Sequence, residues 1–479
     1  MGENRSFAHK SVQAFICPLL SFLHFYDKLT AQWRYCQRRK SGRNDHSELA
    51  AITEGGTLRK PQMLFATMLA MTLLAIATRP ANAQLTFDLL HTFTGGSDGN
   101  HPPGGVIQDA DGNLYGATAL GGLNCAGAGC GTVFKVDKNG RYTVLYRFLG
   151  GSDGAAPRAG LARDAAGNLY GTTQGQGNAG VSTVFKVDKN GNETVLFNFN
   201  QAGVGGSANS TPLLDAEGNL YGTTPAAFVD HCHFKGKIYE CGLVFRLSKS
   251  GAFKVVHTFK SKRTGINPNG NLVMDASGNL YGTTVLGGYG GSAACGLGYG
   301  FFGCGTVFKI SLDSKFTLLH VFHGKADGSF PVGVVGDGAG NLYGITDSGG
   351  DLNCSRELRG CGTIFKIDNA GKFSVLYKFH PQHPGLIMYN NLFRDSQGNL
   401  YGTNQGGGAH AGGYLFKLDA KGNFTDLYDF GVITSSDGAA PTGALIAPSG
   451  DFYGTLGLGG DTACGNLNEG CGTVFKLTP

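Results

Sequence analysis

The sequence predicts an all-β protein, a seven-bladed β-propeller of four-stranded blades, and three observations carry that prediction. The first is a motif, Asp-x-x-Gly-Asn-Leu-Tyr-Gly-Thr, complete at Asp164–Thr172. It returns around Tyr115, Tyr170, Tyr221, Tyr281, Tyr343, Tyr401 and Tyr453, at intervals of 55, 51, 60, 62, 58 and 52 residues. A period of about fifty residues with glycine and aromatic punctuation is the mark of propeller blades. The second is that helical periodicity is missing from residues 84–479, where short β-branched and aromatic runs alternate with turn residues. The third is an offset. The repeat region opens with a lone outer strand, Phe87 to Phe93, and ends on a lone third strand, Gly472 to Leu477. Joining the first to the last closes the ring and hides its edges.

Residues 1–83 stand apart from the repeat. They hold a basic cluster (Arg38, Arg39, Lys40, Arg43) and the only tryptophan, Trp33. Arg59 and Lys60 then precede an apolar run from Met63 to Ala77 and the small-residue site Ala81-Asn82-Ala83. That order of basic, apolar and small residues predicts a signal peptide over 59–83, cleaved after Ala83. The run is shorter than the ~20 residues of a membrane-spanning helix, and an uncleaved N-terminal anchor is the alternative. The length of 1–58 points to a translation start near Leu58. Residues 1–83 carry 11 Lys+Arg and 5 Asp+Glu, leaving 28 against 29 in 84–479. The mature chain is close to neutral, so no electrostatic case exists for nucleic acid or an anionic membrane.

Each repeat reads as four strands. Strand a is a brief apolar run such as Leu272 to Met274. The Asp-x-x-Gly turn follows, with Asp capping through its side chain and Gly supplying a positive φ. Its Asp recurs as Asp109, Asp164, Asp215, Asp275, Asp337 and Asp395, and is Ala447 in the seventh repeat. Strand b is Asn-Leu-Tyr-Gly-Thr, whose glycine is expected to let a neighbouring sheet approach. Strand c is Thr-Val-Phe-Lys, and a second turn such as Asp137 to Gly140 leads to strand d, Thr143 to Phe148. Turns alternate between two faces of the disc. The a–b and c–d turns are short and nearly constant, whereas the b–c and d–a loops are Gly-rich and variable. Variable loops on a rigid scaffold are where binding resides.

Ten cysteines fall in pairs within b–c loops: Cys125/Cys130, Cys232/Cys241, Cys295/Cys304, Cys354/Cys361 and Cys464/Cys471. The second and sixth repeats have none, so cysteine comes and goes in pairs, as a disulfide framework of an oxidising compartment does. Metal binding at His231-Cys232-His233 with Cys241 is the competing reading, but spacings of 5, 9, 9, 7 and 7 fit no single ligand template. Seven cations share one strand-c position (Lys135, Lys186, Arg246, Lys309, Lys366, Lys417, Lys476), and snorkelling over aromatic neighbours accounts for them better than an anion-binding ring. His91, His257 and His320 take strand-d positions held elsewhere by Tyr or Phe, which suits packing rather than catalysis. The Asp-Lys-Asn-Gly turns lack the glutamate of a calcium loop. Gly-Gly-Ser-Asp-Gly at 95–99 and 150–154 reads as a connector turn before an ion or sugar site.

The paired motifs Gly-Asn-Leu-Tyr-Gly-Thr-Thr and Gly-Thr-Val-Phe-Lys resemble the Gloeo/Verruco repeat of bacterial choice-of-anchor tandem repeat GloVer-containing proteins, over essentially residues 85–479. A looser similarity runs to regulator-type and NHL-type propellers. The GloVer resemblance implies an exported bacterial protein with a variable C-terminal sorting anchor, and offers no catalytic residues to carry over. Here the chain stops at Thr478-Pro479 straight after strand c, which favours release or a periplasmic location.

Catalysis is disfavoured because residues 84–479 hold only five glutamates (Glu193, Glu217, Glu240, Glu357, Glu469) and the inner strands are almost without polar groups. The expectation is a monomeric, exported, non-enzymatic module for a protein or glycan partner, without catalytic residues, cofactor or metal. A polysaccharide hydrolase or lyase and a structural envelope component are the alternatives. The expected ligand-binding residues sit on the longest loops, 226–241, 285–304 and 347–361: His231, His233, Tyr239, Tyr289, Tyr299, Phe301, Phe302 and Arg359. Such a mixture suits stacking on sugars or a protein surface; the other reading is that these aromatics cover the disulfides.

Overall fold

The computed structural model describes residues 85–479 except for 123–124, 126–128, 176–180, 227–231, 235–236, 240, 261–262, 289–294, 296–302, 355–359, 382, 385–391, 433–434, 462 and 465–468. For 232–234 and 237–239 the backbone alone is described.

Seven four-stranded antiparallel sheets form a ring. The first blade shows the pattern: strand a at Val106–Gln108, b at Leu114–Thr118, c at Thr132–Val136 and d at Tyr142–Arg147. In the seventh blade, a is Ala439–Ile446, b is Phe452–Leu458, c is Thr473–Thr478, and d comes from the other end of the chain, Thr86–Thr92. Phe87 stands opposite Leu477 and Leu89 opposite Phe475, so the N-terminal strand closes the ring as the offset requires. Among the described residues all regular structure is strand, and no helix is long and apolar enough to cross a membrane.

The motif residues make this architecture by local chemistry. In the first blade Asp109 accepts the main-chain N–H of Asn113 at 2.9 Å, the Asn113 side-chain amide at 2.9 Å and the Tyr115 hydroxyl at 3.0 Å. Burial would raise its carboxyl, but the bonds from Asn113 and Tyr115 and the nearby Arg163 hold it below the usual range. The same Tyr-to-Asp bond recurs from Tyr170, Tyr281, Tyr343 and Tyr401. The Asn side chain reaches on to the c–d turn, as from Asn113 to the Lys138 N–H at 3.3 Å, so the two constant turns do share one face.

The strand-b glycine corrects the sequence expectation. It makes room for the phenylalanine of its own blade's strand c, not for a neighbouring sheet. A Cβ on Gly344 would lie 2.3 Å from the Phe365 ring. That strand-c phenylalanine then meets the phenylalanine ending strand d of the preceding blade. Seven such pairs run round the ring, from Phe93–Phe134 at 5.4 Å to Phe430–Phe475 at 5.1 Å. All fourteen rings are buried, which makes the blade-to-blade seams the core.

Every c–d pair also carries a bulge at one place, for example between Val133 and Phe134, where Leu145 is the unpaired residue. A bulge re-aims the next side chain. Here it turns the strand-d aromatic across the seam. His91 stacks on Tyr142 at 3.6 Å, Phe197 on Phe253 at 3.9 Å, His320 on Phe373 at 3.7 Å and Tyr377 on Phe424 at 4.4 Å.

Candidate functional site

The variable face gathers the b–c loops and d–a connectors, and hydrogen bonds between them show that they share it. His101 donates its main-chain N–H to the Cys471 carbonyl at 2.9 Å, Ala156 to Cys130 at 2.9 Å, Asn267 to Cys241 at 3.1 Å and Phe330 to Cys304 at 2.8 Å. Each donor has a positive φ and precedes a proline, a strained geometry held by the seam. The cysteines are therefore staples. Cys125–Cys130, Cys295–Cys304, Cys354–Cys361 and Cys464–Cys471 are bonded within their loops. Cys241 is disulfide-bonded too, at the position where the sequence pairs it with Cys232.

The expected binding side chains lie beyond description. His231, Tyr289, Tyr299, Phe301, Phe302 and Arg359 fall outside the described residues. His233 and Tyr239 sit on a two-stranded hairpin, Cys232–Phe234 with Lys237–Tyr239, which the repeat pattern did not foretell; Cys232 stands opposite Tyr239.

The connector aspartates are engaged structurally. Asp98 accepts the Thr94 N–H at 3.0 Å and lies 3.3 Å from His91 Nε2. Asp153 accepts the Leu149 N–H at 2.8 Å and the Tyr146 hydroxyl at 2.9 Å. Asp327 repeats the arrangement with His323 and His320. These are turns that clamp the strand-d aromatic. Five of the seven strand-c cations (Lys135, Lys309, Lys366, Lys417 and Lys476) lie over the motif tyrosines, Lys135 at 5.7 Å from the Tyr115 ring and Lys309 at 5.5 Å from Tyr281, as snorkelling requires.

In a repeat of this regularity, chemistry is most visible where the pattern breaks. The sixth blade breaks it most. Where four other blades pair two threonine hydroxyls (Thr118–Thr132, Thr173–Thr183, Thr284–Thr306, Thr346–Thr363), this blade has Asn404 and a fully buried Tyr414. Asn404 donates to the Tyr414 hydroxyl at 3.2 Å and to the Pro384 carbonyl at 2.8 Å. The Val or Leu opposite the strand-c phenylalanine becomes Asp426, 3.3 Å from His383 Nε2. Burial and the nearby Asp429 push Asp426 up to about 7, while burial and His380 push His383 down. Asp426 Oδ1 and His383 Nδ1 are buried without hydrogen bonds. A carboxyl whose charged form is disfavoured by burial, set beside an imidazole disfavoured in the same way, is a pairing that acid–base sites use. Among the described residues no three metal-binding side chains converge.

A second break is Glu193, which takes the seam position of Tyr142, Phe253 and Phe316. Burial and the charge of Asp153 raise its carboxyl to about 7. Sequence reasoning passed over Asn404, Tyr414, Asp426 and His383, and noted Glu193 only as one glutamate among five. Their signal was available as departures within aligned repeat columns.

Fold and faces define the class: a ring-closed, seven-bladed repeat propeller with one constant and one variable face. The chain belongs to the Gloeobacter/Verrucomicrobia repeat family, matching it over residues 77–295, 231–386 and 296–479. No curated protein matches it. Among solved structures it is similar to a gluconolactonase from Xanthomonas campestris, at 16% identity over 68% of this chain and 88% of that one, TM-score 0.37. It is also similar to a puromycin hydrolase, at 12% identity over 75% of this chain and 50% of that one, TM-score 0.44. Tricorn protease matches at 13% identity and TM-score 0.38 over 69% of this chain, which spans 27% of the protease. At these values the likenesses carry no inference about activity.

Proposed function

We propose that the chain is an exported, non-enzymatic binding module that engages a protein or glycan partner on the face of its b–c loops and d–a connectors. The observation that supports this most is the contrast between faces. Tight, repeated turns leave no room for a pocket, whereas the opposite loops vary between blades and five of the seven carry a cysteine pair. Staples lower the entropy lost when a loop binds. The loops 226–241, 285–304 and 347–361 supply the contact residues in this reading, among them Tyr299, Phe301 and Phe302. Disulfides and the leader pattern support export, with a mature chain beginning at Gln84. Glycan-array and pull-down binding by the purified chain, repeated after Tyr299→Ser, Phe301→Ser and Phe302→Ser together, tests the proposal. Loss of binding is expected; unchanged binding would remove these loops from the site.

A second reading, a polysaccharide hydrolase or lyase, draws on the His383–Asp426 pair alone. Turnover of an array-selected polysaccharide that disappears in Asp426→Asn would favour it.

A further inference from the structure

Three strand-d seams hold histidine, and two of them are capped by the chain's own carboxylates. His91 Nε2 lies 3.3 Å from Asp98, and His320 Nε2 lies 3.5 Å from Asp327. At the third seam the equivalent residue is Thr264. The equivalence rests on contacts: Thr306 donates its hydroxyl to the Thr264 carbonyl at 3.4 Å, as Thr132 does to Asp98 at 3.5 Å and Thr363 to Asp327 at 3.3 Å. Thr264 has no carboxylate to offer. His257 still stacks on Phe316 at 4.3 Å; its Nε2, like that of His320, is buried without a hydrogen bond, but among the described residues no carboxylate pairs with it. An orphaned buried ring nitrogen is costly and calls for a partner.

The surroundings have changed sign as well. Four of the other connectors carry an aspartate (Asp98, Asp153, Asp327, Asp437); this one carries the exposed cations Lys260 and Arg263. A shallow groove bordered by Val255, Val256, His257, Thr258, Lys260 and Thr264 opens beside the ring. Burial and the Lys260 charge lower His257 to about 4, so at neutral pH the imidazole is uncharged and its Nε2–H tautomer is a donor.

We infer that this groove is a docking site for an aspartate or glutamate side chain of a partner protein. The incoming carboxylate takes the place at His257 that Asp98 and Asp327 take at His91 and His320, with Lys260 and Arg263 matching its charge. The chain's own seams fill this position with a carboxylate carried on a polypeptide turn, which favours an acidic protein segment over a uronic acid. The inference rests on the reading that this face takes the partner. It uses none of Tyr299, Phe301 and Phe302, so the two can fail separately.

The test is calorimetric titration of the purified chain with a blocked peptide copying the connector Gly150–Ala155, and with its Asp→Asn counterpart. Binding by the first and at least about tenfold weaker binding by the second is expected, the size of a lost charged hydrogen bond. Thr264→Asp should supply the missing carboxylate internally, abolish peptide binding and leave the melting temperature no lower. His257→Phe keeps a stackable ring, as Phe197 does in the second blade, and should also weaken binding about tenfold or more. Equal affinity for the Asn peptide, no measurable binding of the Asp peptide, or undiminished binding by either variant would overturn the site. Equal or tighter binding of trigalacturonate would overturn the assignment to a protein partner.

Discussion

On the face formed by the a–b and c–d turns, nearly one structure is repeated round the ring: an aspartate, an asparagine and a tyrosine bonded within nine residues of each other. On the opposite face the loops vary in length and charge, and cysteine pairs come and go between blades. The difference teaches where each part of the sequence is constrained. The constant face is held by bonds that every copy needs in order to start strand b. The variable face needs only its two anchor points, the main-chain bond from connector to b–c loop and the phenylalanine pair below it. Between those points the chain is free to change, and in four loops a disulfide bridges the changed segment.

The largest expected effect comes from breaking the frame that both faces share. Deleting residues 84–94 removes Phe93 from its contact with Phe134 and uncovers strand Thr473–Thr478. An exposed edge of that kind promotes aggregation; loss of cooperative melting and of monomer by size-exclusion chromatography is expected. Deleting 1–83 should leave the melt unchanged. Next comes Gly344→Ala, which forces a methyl group into the Phe365 ring. Overpacking of this kind costs about 1–3 kcal/mol, measurable by denaturant unfolding.

The seam between the first two blades is expected to respond to pH. Glu193 is raised from its ordinary 4.5 to about 7 in the fold. A raised acid favours the folded state fully below its unfolded value, and that contribution is lost as pH rises through the folded one. The melting temperature should therefore fall between about pH 5 and pH 8, and fall less in Glu193→Gln. Asp426, also raised to about 7, adds a fall of the same sign that Glu193→Gln leaves in place. Glu193→Phe should restore the ring stack, raising the melting temperature at neutral pH.

Smaller effects belong to the staples. Cys464→Ser with Cys471→Ser opens a short loop and should cost less than the ~3 kcal/mol of a fifteen-residue loop. Alkylation of the unreduced chain over residues 84–479 should find no free thiol, including at Cys232. Least of all is a single constant turn: Asp109→Ala should cost about 1 kcal/mol. The seventh blade already tolerates Ala447, with Asp451 bonded to Lys476 at 3.2 Å in its place.

Fold and closure were legible because the residues that repeat are the ones making local bonds. Asp109, Asn113 and Tyr115 satisfy each other within one turn, so their spacing alone implies the structure. The strand-b glycine was legible as a close approach but not as to what approaches, since Phe365 reaches Gly344 only through strand pairing. The polar cluster of the sixth blade was harder still. Asn404, Tyr414, Asp426 and His383 each look like one irregular letter in a different column, and only the folded seam makes them neighbours. His257 behaves likewise: its lack of a partner is legible only when Thr264 is seen to stand where Asp98 and Asp327 stand.

The central claim, that one face carries the scaffold and the other the function, is tested most directly by amide hydrogen exchange with and without the array-selected partner. The account predicts protection confined to loops 226–241, 285–304 and 347–361 and the d–a connectors, with unchanged exchange at the Asp-x-x-Gly turns. Protection centred on those turns, with the stapled loops unchanged, would contradict it.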